Sequence, residues 1–341
     1  MGAGAVAIDA RAAIRSEIGG VERLAIEMVK RLPALRPDRY RVLQPPVRLA
    51  HRAGHLWEQA VVPLRTRHDA LVYCPANLGP VARAARSVVV IHDAAALRMP
   101  GAYSRGYVAY QRLLLPLIAC RARLVITVSE FARGELVDLL GVSPERVEVV
   151  PNGVDERFDP TVDPTSAQTA YGLQRPYVLA LGTRSARKNL AALEPAARAL
   201  RGRGIELVLA GSGRGYLREE ETDLRELGYV AEDRLPSLYA GASALVMPSL
   251  HEGFGLPCLE AMASGVPVVA AERGALPETV GAAGLLVDPD NSDELADAVV
   301  AAATDRELRA RLIAAGLRRA ADFSWRRTAV LTDRAIERAL A

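Results

Sequence analysis

The sequence predicts an α/β protein built as two doubly wound, Rossmann-like domains. Three observations predict it. The 341 residues are more than one hydrophobic core usually serves. Short apolar, β-branched runs alternate with helical patterns along nearly the whole chain, as buried parallel strands and their crossover helices do. The alternation breaks once, in a polar, proline-bearing stretch, and then restarts.

In order, Ala3 to Ile8, Ala70 to Tyr73, Ser87 to Ile91, Leu124 to Thr127 and Val147 to Val150 read as the strands of the first half. Between the first two, Gly20 to Leu32 carries Val21, Leu24, Ile26, Met28, Val29 and Leu32 near helical spacing. Ser129 is placed to cap the helix after its strand. After Pro151-Asn152-Gly153, residues 155–168 show neither period and read as a linker. The second half offers Tyr177 to Leu181, Glu206 to Ala210, Ala244 to Met247, Val266 to Ala270 and Leu285 to Val287 as strands. It closes on three helical stretches, Ser292 to Ala302, Arg306 to Ala321 and Ser324 to Leu340. The expected domains are 1–160 and 166–322, with 323–341 as a final helix packing back on the first.

Composition narrows the class without naming a partner. Half of the residues are apolar and 24% charged, as in a folded soluble protein. Forty-three basic against 40 acidic residues leave a net charge of +3, too small to dictate nucleic-acid binding. Cys74, Cys120 and Cys258 are odd in number and have no CxxC spacing, which argues against a disulfide framework or structural zinc and for a reducing compartment. No signal peptide opens the chain and no run of 18 apolar residues is present, so a cytoplasmic protein is expected, at most peripheral at the inner face of a membrane. Residues 1–60 hold ten Arg or Lys against six Asp or Glu, an excess that fits either an anionic lipid surface or a solvated face.

The most informative segment runs from Pro248 to Pro267 and reads as strand end, glycine-bearing loop, helix, glycine stop and strand. Pro257 suits a first helical turn, leaving the amides near Gly255 and Leu256 turned toward the strand ends, where an anion binds readily. Glu252 precedes that helix and Glu260 lies one turn into it. Carboxylates beside an anion are suited to accept hydrogen bonds from ribose or sugar hydroxyls, or to stabilise positive charge at an anomeric carbon. The plain alternative is that both complement the helix dipole. Lys188 stands out because Lys30 is the one other lysine among so many arginines. Gly19-Gly20 lies between a strand and a helix, where backbone approaches a ligand closely, or simply turns. His92 follows a strand at its carboxyl end, where open α/β sheets bind ligands.

Glu252 and Glu260, with seven residues between them and Gly-Phe-Gly-Leu-Pro within, resemble the signature of the retaining family 4 glycosyltransferases of the GT-B fold. The resemblance extends to Gly19-Gly20-Val21-Glu22-Arg23, Val90-Ile91-His92-Asp93, Ile126 to Phe131, Val149 to Val154, Leu181-Gly182-Thr183 with Arg187-Lys188-Asn189, Gly228-Tyr229-Val230, Leu276-Pro277-Glu278 and Phe323-Ser324-Trp325. It implies two domains facing across a cleft, the first for the acceptor and the second for a nucleotide-sugar donor. It implies Glu252, His92 and Asp93 as catalytic. Donor binding would fall to Gly19, Gly20, Arg187, Lys188, Val230, Phe254, Gly255, Leu256 and Glu260, with Glu260 on the ribose and the two cations on the diphosphate.

Where the family often has Gly-Arg this chain has Gly182-Thr183, so Arg184 or Arg187 would supply the displaced cation. Trp57-Glu58-Gln59 and Pro75-Ala76-Asn77 resemble the mannosyl- and rhamnosyltransferase branch, which implies Trp57 and Asn77 on the acceptor side. The Ile91-His92-Asp93 and Trp57-Glu58-Gln59 resemblance makes GDP-mannose the favoured donor, ahead of a UDP-sugar or dTDP-rhamnose, with a saccharide, lipid-linked or natural-product acceptor. Neither a metal nor another cofactor is expected, since no Asp-x-Asp pair stands in the donor region. From other classes, a nicotinamide dehydrogenase lacks its glycine fingerprint here, while a non-catalytic nucleotide-sugar binder, an epimerase or a phosphorylase would share the architecture.

Overall fold

The computed structural model describes residues 4–46, 54–213, 215–219 and 221–341. The chain forms two compact units, one of residues 1–97, 108–153 and 325–341, the other of 98–107 and 154–324.

The first unit holds a six-stranded parallel sheet: β1 (Val6–Asp9), β2 (Tyr40–Leu43), β3 (Leu71–Cys74), β4 (Ser87–Val90), β5 (Leu124–Thr127) and β6 (Val147–Val149). Its order is β2-β1-β3-β4-β5-β6. Val88, Val89 and Val90 are all buried, as expected of a strand covered on both faces. The start of the first expected strand, at Ala3, lies outside the described residues. Ser129 caps the helix Glu130–Leu140 with its hydroxyl, which accepts from the Ala132 amide at 3.0 Å. The helix Trp325–Leu340 belongs to this unit: Asp333 accepts from the Tyr40 hydroxyl at 2.6 Å and from Arg36 Nε at 3.0 Å.

The second unit repeats the plan with β7 (Tyr177–Leu181), β8 (Glu206–Ala210), β9 (Arg225–Gly228), β10 (Ala242–Met247), β11 (Val268–Ala271) and β12 (Leu285–Val287), in the order β12-β11-β10-β7-β8-β9. Every pairing is parallel. Its core gathers Val178, Ala180, Leu193, Leu200, Val246, Val269, Leu295 and Val299.

Three details differ from the sequence reading. The units divide at Gly153/Val154 rather than after residue 160, because Val154 pairs in parallel with Ser324 and Phe158 meets the Tyr239 ring edge-on at 5.5 Å. The supposed linker ends inside the helix Thr165–Tyr171, held where the Ala167 amide donates to Ser237 Oγ at 3.0 Å. Residues 98–107, expected within the first domain, pack with the second unit. There the Ser104 amide donates to the Tyr216 carbonyl at 2.9 Å, the Arg218 amide donates to the Ala102 carbonyl at 3.0 Å, and the Tyr107 and Tyr216 rings stack at 4.7 Å. Among the described residues, no helix is long and apolar enough to cross a membrane.

Candidate active site

In the second sheet the chain leaves β7 toward β8 and β9 on one side, then returns to form β10 on the other. The loops after β7 and β10 therefore part at their carboxyl ends, the place where open α/β sheets take ligands. The backbone ties the two loops together through the Leu250 amide, which donates to the Arg187 carbonyl at 2.9 Å.

The loop after β7 delivers two cations to a carboxylate from the loop after β10. Lys188 Nζ donates to Glu252 Oε1 at 2.6 Å, and Arg187 Nη1 lies 3.1 Å from the same oxygen while donating to the His251 carbonyl at 2.6 Å. Burial works against ionisation of Glu252, but Lys188 and Arg187 outweigh it and bring its pKa down to about 2. Burial pulls the Lys188 ammonium down from its ordinary value, with Glu252 opposing. Gly182 makes room for this lysine. It has φ +152°, and a Cβ there would lie 2.8 Å from Lys188 Cε. Arg184, the other arginine considered for the displaced cation, is engaged by Glu219 and Glu226, which leaves Arg187 as the one beside Glu252.

Gly255, at φ +94°, starts the helix Leu256–Ala263, with proline in its first turn. Glu260 on that helix is buried and accepts from the Tyr239 hydroxyl at 2.8 Å. No local period or motif marks this pairing, which joins two elements. Phe254 and Leu256 are buried, Phe254 meeting Phe323 edge-on at 6.0 Å, so they shape the loop rather than present open side chains. Val230 is also buried, two residues beyond Gly228, whose φ of +69° turns the chain out of β9.

The first unit gathers the remaining candidates at the carboxyl ends of β1, β3 and β4. Gly19 caps the helix Gly20–Leu35, and its amide donates to Glu22 Oε2 at 3.0 Å. Among the described residues, a Cβ on Gly20 would meet no neighbouring group within 4 Å. His92 is buried; its amide donates to Asn77 Oδ1 at 2.8 Å and its Nε2 lies 3.1 Å from the Pro75 carbonyl. Burial lowers its pKa, which favours the neutral imidazole. Asp93 accepts from the Ala95 amide at 3.1 Å and so caps a short helical turn. Asn77 stands at φ +63°, a conformation asparagine tolerates better than most residues.

Trp57 corrects the expectation of an acceptor contact. Its side chain is 1% exposed, with Nε1 donating to Asp9 Oδ1 at 2.9 Å, so it packs inside the unit. Among the described residues, no three His, Cys, Asp or Glu side chains gather in a metal-holding group.

Comparison with known proteins matches both halves of the chain to families. Residues 18–158 match Glycosyltransferase Family 4, and residues 175–305 match the glycosyl transferases group 1. O-antigen chain mannosyltransferase B of Escherichia coli is 34% identical over 302 residues, covering 83% of this chain and 77% of that protein. The MMP alpha-(1->4)-mannosyltransferase of Mycolicibacterium hassiacum is 37% identical over 234 residues, 64% of this chain, which spans only 54% of that relative's length. Among solved structures, HepE of Anabaena in complex with UDP-glucose superposes with a TM-score of 0.75 at 20% identity, over 98% of this chain and 99% of the other. Sucrose-phosphate synthase from Thermosynechococcus elongatus does so with a TM-score of 0.74 at 18% identity, over 98% of both chains. The fold shared with these structures is GT-B.

Proposed function

The chain belongs to the family 4 glycosyltransferases, and from that premise we propose that it is a retaining mannosyltransferase that takes its sugar from GDP-mannose. The acceptor class we propose is a saccharide or a lipid-linked saccharide, the latter reached from the membrane surface. The observation that carries the reading is the cluster of half-buried Arg187 with buried Lys188 and Glu252 between the loops after β7 and β10. Both cations pair with one oxygen of Glu252. A diphosphate would draw both cations onto its own oxygens.

In the reaction proposed, the bond between the anomeric carbon and the β-phosphate oxygen breaks, and the electron pair leaves with the diphosphate. Lys188, Arg187 and the amides at the start of the helix Leu256–Ala263 stabilise that charge. Released from its cations, Glu252 faces the positive charge at the sugar. The acceptor hydroxyl bonds to the anomeric carbon on the same face and gives its proton to the departing phosphate oxygen. Glu260, held by Tyr239, accepts from the ribose hydroxyls, Val230 pairs its backbone with the base, and Gly19, Gly20, His92 and Asp93 serve the phosphate and the transferred sugar.

Thermal unfolding with GDP, UDP, dTDP and ADP in turn tests this. A ligand at about 100 times its dissociation constant adds about 2.7 kcal/mol. GDP alone is expected to stabilise the chain, and Lys188→Ala to abolish the effect. Glu252→Gln should retain the GDP shift, since the cations are then free for the diphosphate, while losing turnover by about a hundredfold or more. Stabilisation by UDP or dTDP in place of GDP would reassign the donor.

A further inference from the structure

In the first sheet the chain leaves β1 toward β2 on one side and returns to β3 on the other, so its own switch point lies between the loops after β1 and β3. The β2–β3 connection contains a helix over 54–65 whose middle, Trp57–Val61, is a π turn. Such i→i+5 turns are rare and recur at functional sites.

Three consecutive side chains of this turn hold both loops. Trp57 Nε1 donates to Asp9 Oδ1 at 2.9 Å, and the same oxygen accepts from the Arg11 amide at 3.2 Å. Glu58, fully buried, takes Arg11 Nη2 at 3.4 Å. Gln59 turns to the other loop: its Nε2 donates to the Gly79 carbonyl at 3.0 Å and its Oε1 accepts from the Val81 amide at 3.0 Å. That second loop makes two polar contacts with His92, through Asn77 Oδ1 and the Pro75 carbonyl.

We propose that the Trp57-Glu58-Gln59 turn is the positioning element of this half of the site, fixing the Asp9–Gly19 loop and, through the Pro75–Val81 loop, the His92 ring. The proposal rests on the reading that His92 serves sugar transfer. None of the three side chains need touch a substrate; Gln59, Glu58 and Trp57 are positioning residues. Gln59 is matched to its place because one amide both donates and accepts. An ionised carboxylate there would accept from Val81 and be left facing the Gly79 carbonyl with no proton to give.

The test uses the full chain with labelled histidine, its five histidines told apart through a His92→Gln variant. In Gln59→Met, the His92 ring resonances and their titration midpoint should move while the thermal shift with GDP stays as in the wild type. With GDP-mannose as donor, kcat should fall on the order of tenfold to a hundredfold at unchanged KM, the pattern of a displaced group rather than lost binding. Should Gln59→Met not fold, Gln59→Glu takes its place. Its His92 signal should be displaced when the carboxyl is ionised and return toward the wild-type position on acidification, as the protonated acid regains the donor. A His92 signal untouched by either substitution overturns the proposal. Absence of any GDP shift or turnover in the wild type would sink the donor assignment instead, and the histidine spectra would still decide the positioning role.

Discussion

Gly274 lies flat against the backbone of Glu252: a Cβ built on it would sit 2.8 Å from both the nitrogen and the carbonyl oxygen of that residue. The next residue completes the contact, the Ala275 amide donating to the Glu252 carbonyl at 2.9 Å. Gly274 also has φ +62°, so the site's carboxylate is seated on a position that tolerates no side chain. Gly274→Ala should therefore displace Glu252 from Lys188 and cost about 1–3 kcal/mol of stability from backbone strain alone. Denaturant unfolding and turnover, measured together, check this; a variant as stable and as active as the wild type would show that the loop accommodates a methyl group freely.

A pH effect follows from Glu58. Burial, opposed by Arg11, raises its pKa from 4.5 to about 7, so the folded chain holds a proton that the unfolded chain releases. The sign is then fixed: this group's contribution falls as pH rises from about 4.5 to about 7, by up to about 3 kcal/mol. Glu58→Gln should remove this group's share of the fall, leaving the slope from Asp9, whose pKa burial also raises. Unfolding free energies at pH 5 and pH 7.5 compare the two proteins. Equal slopes would mean that Glu58 is ionised throughout.

Gly20 separates a structural from a ligand-contacting glycine. Among the described residues nothing opposes a Cβ there, and the residue opens a helix. Gly20→Ala should thus leave stability unchanged or raise it by about 0.4–1 kcal/mol, because alanine restricts the unfolded chain. Turnover should nonetheless fall, since the methyl group would occupy the space of an approaching ligand. Undiminished kcat/KM would leave Gly20 as a simple turn.

What could be read in the sequence was whatever a local period or a motif records. The buried valines of β4 and the Glu252 to Glu260 spacing are of that kind. The edge strands β2 and β9 were not readable: Tyr40–Leu43 is a four-residue run with a mixed pattern, and Arg225–Gly228 begins on exposed charges. Trp57 was read as facing an acceptor because an aromatic residue in a motif does not announce which way it points; it lies in the apolar core, its Nε1 held by Asp9, 48 residues away. The pairing of Tyr239 with Glu260 spans 21 residues and two elements, beyond any periodicity. Residues 98–107 fell within the first expected domain, since what assigns them to the second unit is backbone pairing with Leu217 and its neighbours.

The way the two units share the chain sets terms for anyone exchanging parts between relatives. A cut at Gly153 would strip the first unit of the helix Trp325–Leu340, with its buried Trp325 and Ile336, and the second of residues 98–107. A functional chimera would have to transplant 98–107 together with 154–324 as one graft, leaving both ends of the recipient chain in place. A recombination library built with a single crossover would yield mostly misfolded protein, whatever the compatibility of the two parents' chemistry.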